Sequence, residues 1–276
     1  MSARDIAIIG GGNMGRALVG GLLRRGIAPR SISVGEPSGP ARASLEKEFG
    51  CSALPDNEQA IAGASIVVIA VKPQQAAHVL APLRSRLAEV APVIVSVAAG
   101  IETRSLETWC GEGVPVVRAM PNRPALVGAG ATGLYARPHV SAGARERAET
   151  VMRAVGAVVW VSEESHLDLV TALSGSGPAY FFLLAETMMQ AAVRRGLDPE
   201  AARALAVETL HGAGVLAHSS GDLARLRAEV TSKGGTTEAA LRVFGAENGM
   251  GELVQRAIDA AAQRSRELAR QFGAGD

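Results

Sequence analysis

A chain of 276 residues with 28 Lys and Arg against 27 Asp and Glu carries a formal net charge of +1, so no global field draws it to nucleic acid or anionic lipid. Aromatic residues make up 3%, too few for a base-stacking platform, while 47% hydrophobic residues are ample for the core of one large domain or two ordinary ones. The two cysteines, Cys51 and Cys110, form no Cys-x-x-Cys pair and no disulfide framework, and read as free thiols of a reducing compartment.

Met1-Ser2-Ala3-Arg4-Asp5 runs straight into an apolar stretch without a signal-peptide pattern. No uncharged apolar run approaches the roughly 20 residues of a bilayer span. The greasiest segment, Pro178 to Val193, is interrupted by Glu186 and Gln190. A cytoplasmic protein without membrane or nucleic-acid partners is expected.

In the first half, short β-branched runs alternate with helical patterns. Strands are predicted over Asp5–Gly10, Ser31–Gly35, Ser65–Val71, Pro92–Ala98, Pro115–Met120, Ala131–Tyr135 and Ala157–Val161. Ile6-Ala7-Ile8-Ile9, Ile66-Val67-Val68-Ile69 and Val93-Ile94-Val95 are apolar at successive positions, as in parallel strands covered on both faces. From Met14 to Arg25, Met14, Leu18 and Leu22 recur at helical spacing and Gly26 supplies a stop. Repeated strand–helix units imply an α/β fold, an N-terminal Rossmann-type doubly wound parallel sheet.

After Val161 the strand signal ends. Helices are expected over Glu163–Ala172, Gly177–Arg195, Pro199–Ser219, Leu223–Thr231, Thr236–Phe244 and Glu247–Gln271. Two domains follow from this change of period: 1–162 for dinucleotide binding, and 163–276, all helical, for substrate binding and dimerisation. The Gly177–Arg195 helix is apolar on nearly every side and needs cover all round, from its own bundle or, the reading preferred here, from a second subunit.

Gly10-Gly11-Gly12-Asn13-Met14-Gly15 fits G-x-G-x-x-G between a strand and a helix. In that context Gly10 permits a tight turn, Gly12 lets the backbone approach a pyrophosphate, and Gly15 lets helix and strand pack closely. Free N–H groups at the helix start then meet the phosphate charge. Glu36, at the end of the second strand, can accept from the ribose hydroxyls of NADH, whereas Ser38 can donate to the 2′-phosphate of NADPH; both cofactors stay open. The five histidines form no metal-ligand spacing and there is no Gly-x-Ser-x-Gly elbow, so the cofactor must carry the chemistry.

Six blocks together resemble pyrroline-5-carboxylate reductase: Ile9–Gly15, Ala70-Val-Lys-Pro73, Ser96-Val-Ala-Ala-Gly100, Arg118–Ala125, Leu173–Tyr180 and Thr231-Ser-Lys-Gly-Gly-Thr-Thr237. The resemblance spans nearly the whole chain. It implies reduction of 1-pyrroline-5-carboxylate to proline by NADPH or NADH, in homodimers that in relatives often join into rings. It also implies that Asn57, Val71, Lys72, Pro73, Ala98, Ala99 and Gly100 line the cofactor and that Asn122 lies near the nicotinamide. On this view Gly234, Gly235, Thr236 and Thr237 grip the substrate carboxylate, with Thr236 capping the next helix, and Thr171 hydrogen-bonds the ring nitrogen. Ser174 and Ser176 are expected to cap the long helix. Arg123 stands where relatives usually carry Thr, and Lys233 where they carry Pro.

Two rivals remain. A different imine reductase or a β-hydroxyacid-type reductase would share the architecture, but hydroxyacid chemistry usually needs a Lys on the Gly177–Arg195 helix, which has none. A dinucleotide-sensing protein without turnover would leave the two-glycine loop at Gly234 without a purpose.

Overall fold

A computed structural model describes residues 5–273. The first part of the chain alternates strands and helices: β1 (Ile6–Ile9), α1 (Asn13–Arg24), β2 (Ile32–Gly35), α2 (Gly39–Phe49), β3 (Ser52–Leu54), α3 (Asn57–Ile61), β4 (Ile66–Ile69), α4 (Ala76–Val90), β5 (Val93–Ser96), α5 (Thr103–Cys110), β6 (Val116–Met120), β7 (Gly130–Ala136), α6 (Ala142–Arg153) and β8 (Gly156–Trp160). Helices follow: α7 (His166–Val170), α8 (Gly177–Arg194), α9 (Pro199–Ser220), α10 (Leu223–Glu229), α11 (Thr236–Phe244) and α12 (Met250–Gly273).

The strands form one sheet in the order β3-β2-β1-β4-β5-β6-β7-β8. Strand side chains alternate between faces, so the consecutive apolar residues of β1, β4 and β5 feed two cores. Ile6, Ile8, Val68 and Val95 pack on one face with Leu18, Leu22 and Val151, while Ala7, Ile9, Val67 and Ile94 pack on the other with Leu80, Leu87 and Leu106.

Three features depart from the sequence reading. Strand β3, parallel to β2, was not expected at all. The pairing of β6 with β7 is antiparallel, in register Val117 with Ala136, so the sheet is mixed rather than wholly parallel. Between α7 and α8 the backbone widens into a π turn, Thr171–Gly175, where a plain helix end was expected. Through that turn the chain is helical from His166 to Arg194, 29 residues with a mean hydropathy of 1.3, long and apolar enough by length and composition to cross a bilayer. The polar interruptions at Glu186 and Gln190 do not lower it below that mark.

By its contacts the chain groups into two compact units. One runs through Gly175 and includes the chain from Ala261 onward; the other is Ser176–Ala260. In the second unit, α8 and α9 pack against each other, and α10 packs on α9.

Candidate active site

The turn after β1 is built from glycines, and at Gly10 and Gly15 a side chain has no room. Gly10 has φ +109°, and a Cβ there would lie 2.7 Å from the Ala70 carbonyl oxygen. A Cβ on Gly15 would lie 2.0 Å from the Gly10 oxygen, so the first turn of α1 rests directly on the loop. Gly12 has only open space where its Cβ would go, and it starts α1 without any side-chain cap. The first N–H groups of α1 have no intrahelical partner and no acidic residue occupies the first turn. This open cradle suits the pyrophosphate of a dinucleotide.

Glu36 closes the loop from the side. One carboxylate oxygen accepts from Gly11 N at 3.0 Å, the other from Ser38 N at 2.9 Å. Its negative charge therefore sits fixed beside the glycine loop. Ser38 is the N-cap of α2, its hydroxyl accepting from Ala41 N. The Arg42 guanidinium donates to the Glu36 and Pro37 carbonyls, which pins the turn after β2.

Because β1, β4, β5 and β6 run parallel, their C-terminal ends share one sheet edge. Ligands of open α/β sheets bind at that edge. Most of the residues expected along the cofactor come together there. Asn57 Oδ1 fills the space beside Gly35, and Val71 lies against Gly10. Lys72 precedes the turn that begins at Pro73. Ala98 N donates to the Ser96 hydroxyl, and Gly100 takes φ +78°. Asn122 is 8% exposed and both ends of its amide are engaged: Oδ1 accepts from Ala131 N at 2.9 Å and Nδ2 donates to the Ser174 carbonyl at 3.0 Å. It ties the end of β6 to the start of β7 and to the π turn. Arg123 opens an exposed 3-10 turn, Arg123–Val127, directly after it.

Thr171 begins the π turn, half-buried, with its hydroxyl donating to the Leu167 carbonyl at 2.8 Å. The capping expected of Ser174 and Ser176 is absent. The Ser174 hydroxyl donates back to the Val170 carbonyl, and Ser176 precedes α8 without a side-chain cap bond. A serine inside a wide turn finds a carbonyl one turn back more readily than the N–H groups ahead of it.

In the helical unit, the loop before α11 also differs in detail from expectation. Thr236 does not cap α11; it is the first helical residue, and Gly235 is the N-cap. Gly234, with φ +76°, gives its N–H to Glu238 Oε2 at 2.7 Å, and Gly235 gives its N–H to the Ser232 carbonyl at 3.0 Å. The donors left without an intrahelical partner are therefore the N–H groups of Thr236, Thr237 and Glu238, the first two beside their own hydroxyls. Lys233 is exposed in this loop.

One cluster near the sheet edge was not anticipated. Glu164 accepts from Thr103 N at 2.6 Å, from the Thr103 hydroxyl, and from Arg118 Nη1. Burial alone would raise its carboxyl, but the Thr103 hydroxyl, the Arg118 guanidinium and the Thr103 N–H together outweigh it and hold Glu164 below the usual carboxylate range. Among the described residues no group of three or more His, Cys, Asp or Glu side chains is arranged to hold a metal ion.

A glycine cradle at the head of α1, an acidic residue closing β2 and loops gathered at the sheet edge define a dinucleotide-dependent oxidoreductase. Residues 5–100 match the family model described as NADP oxidoreductase coenzyme F420-dependent, and residues 164–268 match the pyrroline-5-carboxylate reductase dimerisation model. A pyrroline-5-carboxylate reductase of Pseudomonas aeruginosa is 47% identical over 99% of this chain and 100% of its own length. One from Vibrio alginolyticus is 40% identical over 99% of this chain and 100% of its own. The structure of the Coxiella burnetii enzyme superimposes with a TM-score of 0.92 at 41% identity, covering 97% of this chain and 99% of that one. A Plasmodium falciparum pyrroline carboxylate reductase with NADP bound gives 0.81 at 27% identity, over 98% and 99%. The chain belongs to the pyrroline-5-carboxylate reductase family and is an NAD(P)H-dependent oxidoreductase with an oligomerising helical region.

Proposed function

We propose that residues 1–162 hold NAD(P)H along Gly10–Gly15 and the sheet-edge loops, and that residues 163–276 bind the carboxylate of 1-pyrroline-5-carboxylate and form the dimer. Bound there, the nicotinamide supplies the hydride that reduces the imine carbon. What the chain itself contributes is position: a held carboxylate and a held ring nitrogen turn a bimolecular encounter into an oriented one.

The observation that carries the carboxylate assignment is the loop before α11. Gly234 and Gly235 have already spent their N–H groups, so they shape the turn rather than bind. Thr236 and Thr237 present two free N–H groups at a helix N-terminus together with two hydroxyls, a fitting site for one carboxylate. Lys233 adds a cation to the same loop. Thr171 engages the ring nitrogen. Its hydroxyl proton is committed to Leu167, so its lone pairs face outward to accept from a protonated imine N–H. The imine is basic enough to be protonated by water near neutral pH, and no strong general acid is required.

Replacing Thr237 with Ala removes one hydroxyl donor. The KM for the imine should rise roughly tenfold, the loss of one charge-assisted hydrogen bond, with the KM for the nucleotide unchanged. Unchanged imine kinetics would assign the loop to structure alone. Oxidation of proline or thioproline at high pH separates this reading from a sensor without turnover.

In the cell we place the protein in the cytoplasm, where NAD(P)H is available and the free thiols of Cys51 and Cys110 stay reduced. It acts there as a homodimer that joins into a ring of dimers, as the resemblance of its sequence blocks implies, away from membranes.

A further inference from the structure

Helix α5 begins immediately after the Ala98–Gly100 loop, yet it lacks a cap of its own: Glu102 occupies the N-cap position and makes no side-chain cap bond. The missing acceptor comes from far away in sequence. Glu164, in the segment after β8, takes both the N–H and the hydroxyl of Thr103, the first residue of α5. The Arg118 guanidinium, from the strand that ends at Met120, approaches the same carboxylate. Thr103 is fully buried, and the Arg118 and Glu164 side chains are 12% and 26% exposed. Three donors converging on one largely buried carboxylate make a rigid joint, because no other side chain offers that many acceptors at that point.

The last residue of the loop is held as well. A Cβ on Gly100 would meet the backbone of Ala269 and Leu268 in α12 at 3.3–3.4 Å, so the C-terminal helix lies directly on it. Ile101, between the two anchors, is fully buried in the core that holds Ile94 and Leu106, against which Phe272 of α12 also packs. A loop of small residues, Ala98-Ala99-Gly100, has almost no side chain with which to order itself. Ala98 N is tied to the Ser96 hydroxyl where the loop begins, and the two anchors fix where it ends.

We propose that Glu164 is a positioning residue for the cofactor: by capping α5 it holds the Ala98–Gly100 loop in the conformation that receives the nicotinamide half of NAD(P)H. This rests on the reading of that loop as cofactor-lining. Glu164 touches neither nucleotide nor substrate; it acts through Thr103. A carboxylate with one function, the packing of the sheet unit, would affect melting and leave nucleotide affinity alone. The positioning role predicts the reverse emphasis.

The test uses the full-length chain. Glu164→Gln keeps the shape but removes the charge: the amide oxygen still accepts from the Thr103 N–H and Arg118, the NH2 donates to the Thr103 hydroxyl, and the bonds lose the carboxylate charge and weaken. Its Kd for NADPH should rise roughly tenfold, equivalent to about 1.4 kcal/mol, while the KM for the imine at saturating NADPH stays within about twofold. Thr103→Val should show the same change in weaker form, and Thr103→Ser should restore most of what Thr103→Val loses. Hydrogen exchange, with and without NADPH, separates the proposal from the reading beneath it. Protection of residues 10–15 and 98–100 by nucleotide in the wild type, with protection of 98–100 lost in Glu164→Gln, supports both. Protection of 10–15 alone in the wild type overturns the assignment of the loop. Protection of both regions in both proteins, with equal Kd and only a lowered Tm in the variant, overturns the positioning role and leaves the assignment intact.

Discussion

The two compact units treat their apolar side chains in opposite ways. In the sheet unit Ile8, Val68 and Ile94 are each 0% exposed, enclosed by helices of the same chain. In the helical unit Phe181 and Phe182 are each 59% exposed, Leu183 63% and Val243 75%. A monomer does not normally leave so many large apolar side chains in water. The first unit completes its core within one chain, and the second is written for two. The 166–194 helix meets the length and hydropathy of a membrane span because a subunit interface and a bilayer both ask for an apolar helix, and residues 164–268 match a dimerisation model.

The sharpest way to break this contrast is a charge on α8. Phe181→Asp should leave the sheet unit folded yet weaken self-association by more than about 100-fold, since burying an unpaired carboxylate costs several kcal/mol. Sedimentation velocity across a concentration series reads this directly; a variant that stays dimeric at nanomolar concentration would show that α8 is covered by something else. A smaller but still severe effect is expected at the glycine loop. In Gly15→Ala the new methyl has no room against the Gly10 carbonyl, and overpacking against backbone costs about 1–3 kcal/mol. NADPH affinity should fall by at least about tenfold with the dimer intact, measured by titration and sedimentation on the same sample. The mildest change improves the sheet unit. Thr132 is 3% exposed, on the face of β7 shared with Leu134 and Ala136, and its hydroxyl has no hydrogen-bond partner among the described residues. Thr132→Val removes that buried orphan and should stabilise the unit by about 1 kcal/mol, seen as a small rise in Tm without change in kcat. A lowered Tm would mean that the hydroxyl is satisfied in solution.

Legibility in the sequence followed the range of the interactions involved. Seven of the eight strands could be read, because each is an apolar run bounded by turn residues and needs no knowledge of its partners. The eighth, Ser52–Leu54, has three residues and too little periodicity to declare itself. The direction of β7 was invisible for a different reason. Strand pairing depends on how Pro121–Ala129 folds back, and that turn is pinned by Asn122, whose two hydrogen bonds reach Ala131 and Ser174. At the candidate site the glycine turn was plain from spacing, since G-x-G-x-x-G stands directly between a strand and a helix. The spent N–H groups of Gly234 and Gly235 were not, because Glu238 looks like any solvent-facing residue of a first helical turn until its carboxylate is seen bending back. The cap on α5 was beyond reach altogether: nothing about Glu164 marks it as the partner of a threonine on another element.

The two thiols carry a consequence of their own. Cys51 and Cys110 are both buried, and burial, reinforced by the nearby Glu107 carboxylate, pushes Cys110 up to about 12. A raised pKa keeps the sulfur in its thiol form at neutral pH, and the thiolate is the species that reacts with peroxide or alkylating reagents. The folded enzyme is thereby shielded against oxidative damage at these positions without any dedicated repair chemistry. Slow labelling of either cysteine becomes a clock for how often the sheet opens.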